Sequence, residues 1–123
     1  MTDPRRRRAW RFGRLAELAC VGSLVLRGYR VLARNVKTPV GEIDIVARRG
    51  RTLAIIEVKA RASPGDAAEA LGPRQRSRLI RAAEAFRQAH PGVQGLAMRF
   101  DAMLVGPWRP PIHVRDAWRP DGA

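Results

Sequence analysis

Two apolar runs joined by a tight turn constrain this chain more than any other part of it. Residues 42–49 and 52–61 are rich in Ile and Val, and Arg49-Gly50-Arg51-Thr52 stands between them. Glycine at the first central position of a two-residue loop is the signature of a type II′ hairpin turn, because that position needs a positive φ. Once the turn is fixed the register follows. Arg49 faces Thr52, and each outward step pairs the next residues, so Asp44 is expected opposite Glu57 and Glu42 opposite Lys59. Residues two apart on a strand share a face. The four charged side chains are therefore predicted on one face, with Ile43, Ile45, Ile56 and Val58 on the other.

Two carboxylates facing each other across a hairpin repel unless something cationic lies between them. Lys59 and a divalent ion both answer that need. Mg²⁺ takes hard oxygen ligands, commonly one or two carboxylates, and leaves positions for water and phosphate. An ion held there activates water and offsets charge on a phosphate under attack. Lys59 has a further distinction: it and Lys37 are the only lysines in a chain whose other basic residues are all arginine. Lysine shifts its pKa readily on burial, which arginine does not. The bland alternative is a solvated cross-strand ion network with no chemistry, and the residues by themselves leave the two readings level.

Charge narrows the partner. Twenty-four Lys and Arg against eleven Asp and Glu give +13, a field that concentrates polyanions such as nucleic acid. The single Cys20 has no intrachain disulfide partner, and the default compartment is reducing. Arg5-Arg6-Arg7-Arg8 precedes an apolar stretch over 15–26, but that stretch contains Glu17 and falls short of the roughly 20 residues that cross a bilayer. The expectation is a cytoplasmic protein without a membrane partner.

The rest of the chain fits around the hairpin. Residues 1–9 are expected as a basic arm, 10–119 as one domain, and 120–123 as a tail. A helix is predicted from about Trp10 to Arg27, with Leu15, Leu18, Gly22, Val25 and Leu26 as its buried stripe and Gly28 as its stop. Tyr29, Val31 and Ala33 alternate as a strand over 29–36. Residues 62–71 are predicted as a loop. Pro73 opens a second helix whose buried stripe is Leu79, Ile80, Ala83 and Phe86, and His90-Pro91-Gly92 closes it. Strands are predicted over 96–105 and, at an edge, 112–118. The architecture is α/β, a mixed sheet flanked by helices, with a βαβ crossover through the second helix.

Gly41-Glu42-Ile43-Asp44-Ile45-Val46-Ala47 and Ile56-Glu57-Val58-Lys59-Ala60-Arg61 resemble the D…ExK signature of restriction-endonuclease-like nucleases. With Gly13 to Glu17, Gly28-Tyr29, Leu32-Ala33-Arg34-Asn35 and Arg99-Phe100-Asp101, the pattern over roughly residues 12–105 is similar to the YraN family of small bacterial proteins, itself similar to archaeal Holliday junction resolvases. The resemblance implies an αβββαβ nuclease core. It also implies Asp44, Glu57 and the Val58 carbonyl as ligands of Mg²⁺ or Mn²⁺, Lys59 positioning water, Gln75 beside the site, and Glu17 as a helix carboxylate near the metal. The implied activity is endonucleolytic, on DNA and on branched structures, with a homodimer left open by analogy. The residues leave one alternative standing, a non-catalytic nucleic-acid-binding or assembly module on the same fold. Arg74, Arg78 and Arg81 share a helical face that could track phosphates, although its default reading is a solvated basic surface, and Asp101 is expected to anchor the fold through a salt bridge.

Overall fold

The computed structural model describes residues 4–59, 72–106 and 109–120, with side chains from Arg14 onward. Its elements are α1 (Pro4–Leu26), β1 (Arg30–Thr38), β2 (Gly41–Arg49), β3 (Thr52–Lys59), α2 (Pro73–Ala89), a short 3₁₀ turn (Pro91–Val93), β4 (Ala97–Leu104) and β5 (Ile112–Trp118). The strands form one sheet in the order β1-β2-β3-β4-β5. β3 and β4 are parallel and the other pairs antiparallel. A parallel pair needs a crossover connection, and α2 supplies it. The order α1-β1-β2-β3-α2-β4 is that of the restriction-endonuclease-like core, with β5 added at the edge.

The predicted turn is present. Arg49 pairs with Thr52 and Gly50 has φ 59 while Arg51 is not among the positive-φ residues, as a II′ turn requires. The predicted loop over 62–71 lies outside the described residues. α1 begins at Pro4, so its helical backbone takes in positions 4–9 that were expected as an arm. Proline suits the first helical turn, and arginine is a good helix former.

Both faces of the hairpin are buried, which the alternation of charged and apolar residues did not anticipate. Val46, Leu53 and Ile55 join Leu79, Ala82, Ala83 and Phe86 of α2 in one cluster. Ile45, Ala47, Ala54 and Ile56 join Ala16, Cys20 and Leu24 of α1 in the other. The sheet is sandwiched, so a central strand reads as a nearly continuous apolar run.

The face of α1 differs from the prediction. Ala16, Cys20 and Leu24 are the buried row, whereas Leu15 is 66% and Leu26 89% exposed, with Leu18 and Val25 also exposed. The chain carries two apolar rows on this helix, and periodicity alone cannot say which one meets the sheet.

β1 also departs from simple alternation. The register with β2 shifts between Val31 and Ala33, which sends Val31 to the α1 side and Ala33 to the α2 side. A bulge has this effect, because it inserts one residue and re-aims the side chains beyond it. Further along, Asn35 takes φ 50. The pairs on either side of it are Arg34 with Ile45 and Val36 with Ile43, so Asn35 lies across from Asp44. There β2 turns over: Ile43 packs on the α2 side and not with Ile45.

Asp101 anchors the far side of the sheet as expected. It is fully buried, bonded by Arg99 Nε at 2.8 Å, by the Asp116 amide at 2.9 Å, and to His113 Nε2 at 2.7 Å. Burial would raise its pKa, but the bonds from His113, Arg99 and the Asp116 amide outweigh burial and hold it below the ordinary value.

Candidate metal centre

The described pairing of β2 with β3 ends at Ile45 and Ile56, one step short of Asp44 and Glu57. In this register Ile43 and Val58 would exchange the next ladder hydrogen bonds. Instead the Val58 amide donates to Asp44 Oδ2 at 2.8 Å. The interruption at Asp44 is what allows a side chain to stand in for a backbone carbonyl.

The Val58 carbonyl is placed by the same logic. Lys59 O accepts from the Val105 amide at 2.8 Å, so the odd-numbered residues of β3 turn their polar backbone groups to β4. Val58 turns both of its groups the other way, towards β2, where the ladder has stopped. Its carbonyl therefore lies on the Asp44 side.

Glu57 is buried. Its Oε1 receives Lys59 Nζ at 3.2 Å and Gln75 Nε2 at 3.1 Å. Gln75 comes from the first turn of α2, so the crossover helix and the hairpin meet at this carboxylate. Glu42 departs from the predicted arrangement. It pairs with Lys37 on β1 and is exposed, because the β2–β3 ladder has ended before reaching it.

Burial first, then the negative charge of Asp44, pushes the Glu57 pKa up to about 7, with Lys59 opposing. Asp44 is raised too, by burial and by the charge of Glu17, against the Val58 amide, a hydrogen bond with Glu57 and the charge of Lys59. A hydrogen bond between two carboxyl groups needs a proton on one of them. Without a cation between them the pair holds that proton.

Glu17 stands nearby on α1 but is held by other partners. Its Oε1 accepts from Asn35 Nδ2 at 3.0 Å and lies 4.0 Å from Arg34. It reaches Asp44 through its field, since its charge is among those raising that pKa. Among the described residues no three His, Cys, Asp or Glu side chains gather as a metal-binding group. Two carboxylates and one carbonyl, all hard oxygens, are the groups here that could hold an ion such as Mg²⁺ or Mn²⁺, with water completing its shell.

The carboxylates open into a cleft of about 590 Å³ lined by β2 residues 41, 42 and 44, Glu57, and the N-terminal part of α2, including Arg74, Gln75 and Arg78. Sequence reading placed Arg74 and Arg78 on a solvated face. The signal was available: they precede Gln75 and Leu79 by one residue each, so they flank the same helical edge.

Fold and site define a class: a small α/β protein of restriction-endonuclease-like topology with a buried and a half-buried carboxyl group, Glu57 and Asp44, where a hairpin ladder ends. The chain belongs to the uncharacterised protein family UPF0102, whose model matches residues 16–105, in agreement with the motif resemblance. A UPF0102 protein of Parvibaculum lavamentivorans is 54% identical over 91% of this chain and 84% of its own. One from Rhodopseudomonas palustris is 51% identical, over 94% of this chain and 88% of its own. One from Maricaulis maris is 48% identical over 94% and 91%. No described helix is long and apolar enough to cross a membrane.

Proposed function

We propose that this protein is a metal-dependent endonuclease that hydrolyses phosphodiester bonds in nucleic acid. The observation that carries the reading is the crowding of Asp44 against Glu57, where burial and neighbouring negative charge raise both pKa values. Two carboxyl groups are pressed together in a largely buried site, and Lys59 is the one cation bonded to either of them in the described contacts. A structural ion network would match its charges, because unpaired buried charge is costly. In the metal-free pair a retained proton and Lys59 offset the charge, and a dication bound there would take that proton's place.

Asp44, Glu57 and the Val58 carbonyl would hold the ion. When bound, Mg²⁺ or Mn²⁺ would polarise the phosphoryl group and a water ligand. Gln75 fixes the orientation of the Glu57 carboxylate, and the Val58 amide does the same for Asp44. Lys59, tethered by Glu57, is placed to donate a hydrogen bond to the attacking water or to a phosphoryl oxygen. Hydrolysis adds that water across one P–O bond. DNA is the expected substrate, branched DNA included, in the cytoplasm.

The test is cleavage of labelled branched, duplex and single-stranded DNA with Mg²⁺ or Mn²⁺. Cleavage that disappears in both Asp44→Asn and Glu57→Gln, with DNA binding retained, supports the proposal. Intact DNA with either metal, alongside tight salt-dependent binding, overturns it in favour of a binding module.

A further inference from the structure

We infer that Arg74 and Arg78 form a backbone clamp that grips phosphates flanking the one at the carboxylates, so that the ligand of the cleft is a polynucleotide strand and not a mononucleotide. The inference rests on the nuclease reading for what lies at Asp44 and Glu57, and on the cleft geometry for everything else.

Arg74 and Arg78 are one helical turn apart, which makes them neighbours on the surface of α2. Both line the cleft that holds Asp44, Glu57 and Gln75, and both are exposed. Among the described residues neither guanidinium has an acidic partner within ion-pair distance, although Glu42 lines the same cleft. Arg87, Arg99 and Arg119, by contrast, are held by Glu84, Asp101 and Asp116. Two uncommitted guanidinium groups beside two carboxyls do not neutralise the pair, since the contacts of Asp44 and Glu57 go to Val58, Lys59 and Gln75. They are left to meet a ligand, and arginine forks match phosphate oxygens.

Their placement says which phosphates. Gln75 reaches the reacting end of the cleft, where it bonds Glu57. Arg74 and Arg78 stand on either side of Gln75 in the sequence of the same helix and line the same cleft. At Gly41 the hairpin packs directly on α2, where an added Cβ would lie 3.2 Å from the Arg78 carbonyl oxygen, and this contact holds Arg78 beside the cleft. A strand whose phosphate sits at the carboxyls would carry its neighbouring phosphates past both arginines. A mononucleotide seated at the carboxyls has no phosphate to offer them.

The experiment measures binding of short fluorescein-labelled DNA and RNA strands in EDTA, across a salt series, for the wild type, Arg74→Ala/Arg78→Ala and Arg74→Lys/Arg78→Lys. Each lost phosphate contact lowers the slope of log K against log salt by about 0.7 on a single strand. The alanine pair is expected to lose roughly twice that slope and the lysine pair to keep it. A slope unchanged in the alanine pair overturns the clamp, whatever the cleavage assay gives. A reduced slope in a protein that cuts nothing leaves the clamp standing and removes the nuclease reading. Loss confined to one sugar type identifies the strand, and equal loss on both shows that the clamp reads phosphate alone.

Discussion

Asp44 and Val58 are joined by a side-chain-to-backbone hydrogen bond of 2.8 Å at the point where the β2–β3 ladder ends. The same carboxyl group is one half of the candidate metal pair. Replacing it therefore has two separable effects, on the hairpin and on Glu57. Asp44→Asn keeps an acceptor for the Val58 amide and removes a negative charge from beside Glu57. It is expected to fold as stably as the wild type in EDTA at neutral pH. Asp44→Ala leaves the amide without its partner and should lose about 1–3 kcal/mol. Urea unfolding of the two variants makes the comparison, and equal losses in both would contradict it.

The acid pair also sets a pH dependence. The folded Glu57 binds its proton up to about 7, whereas an unfolded glutamate releases it near the ordinary 4.5. Between those values the folded state holds more protons than the unfolded one, so stability falls as pH rises. The contribution is largest below the ordinary value and is gone above about 7. In EDTA the wild type should weaken across this window, and Glu57→Gln should flatten that part of the curve. Urea midpoints at several pH values test it. A wild-type curve that rises through the window would be the wrong sign.

Asp101 runs the opposite way. Its pKa is held below the ordinary 3.8, so its contribution is complete above that value and fades as pH falls through the lower folded one. It is fully buried and bonded to Arg99 and His113. Asp101→Ala leaves those partners facing an empty position and should destabilise by about 3–5 kcal/mol. Because none of these residues lines the cleft, Mn²⁺ affinity of the folded variant, read by calorimetry, should match the wild type.

The two apolar rows of α1 give a paired prediction. Leu24 is fully buried and Leu26 is 89% exposed. Leu24→Ala should cost about 2–5 kcal/mol, while Leu26→Ala should stay within about 0.5. Thermal unfolding of both decides which row meets the sheet.

Metal binding has its own signature in stability. A ligand that binds only the folded state adds about 2.7 kcal/mol when present at a hundred times its Kd. Mn²⁺ should raise the melting temperature of the wild type and leave Glu57→Gln where it was. An equal rise in both would place the ion elsewhere.

The hairpin was legible because a two-residue turn with Gly50 leaves a single register, and that register brings Asp44 and Glu57 to the same step. Gln75 was legible through the resemblance, and the structure places it against Glu57. What could not be read was the interruption at Asp44. It falls opposite Asn35, a neighbour on another strand with a left-handed backbone, and no pattern within β2 announces it. The buried row of α1 was missed for a different reason. Leu15, Leu18 and Val25 look more like a core stripe than Ala16, Cys20 and Leu24 do, yet the smaller row faces the sheet. The covered outer face of the hairpin follows from α2, whose crossover was expected but whose burial of that face the charged residues on it concealed.

Gly41 has a mechanical consequence. Main chain meets main chain there, with α2 seated where a methyl group would crowd it. The gap between helix and hairpin is thus a property of the scaffold and not of side-chain rotamers. The cleft beside that contact is shaped when the chain folds.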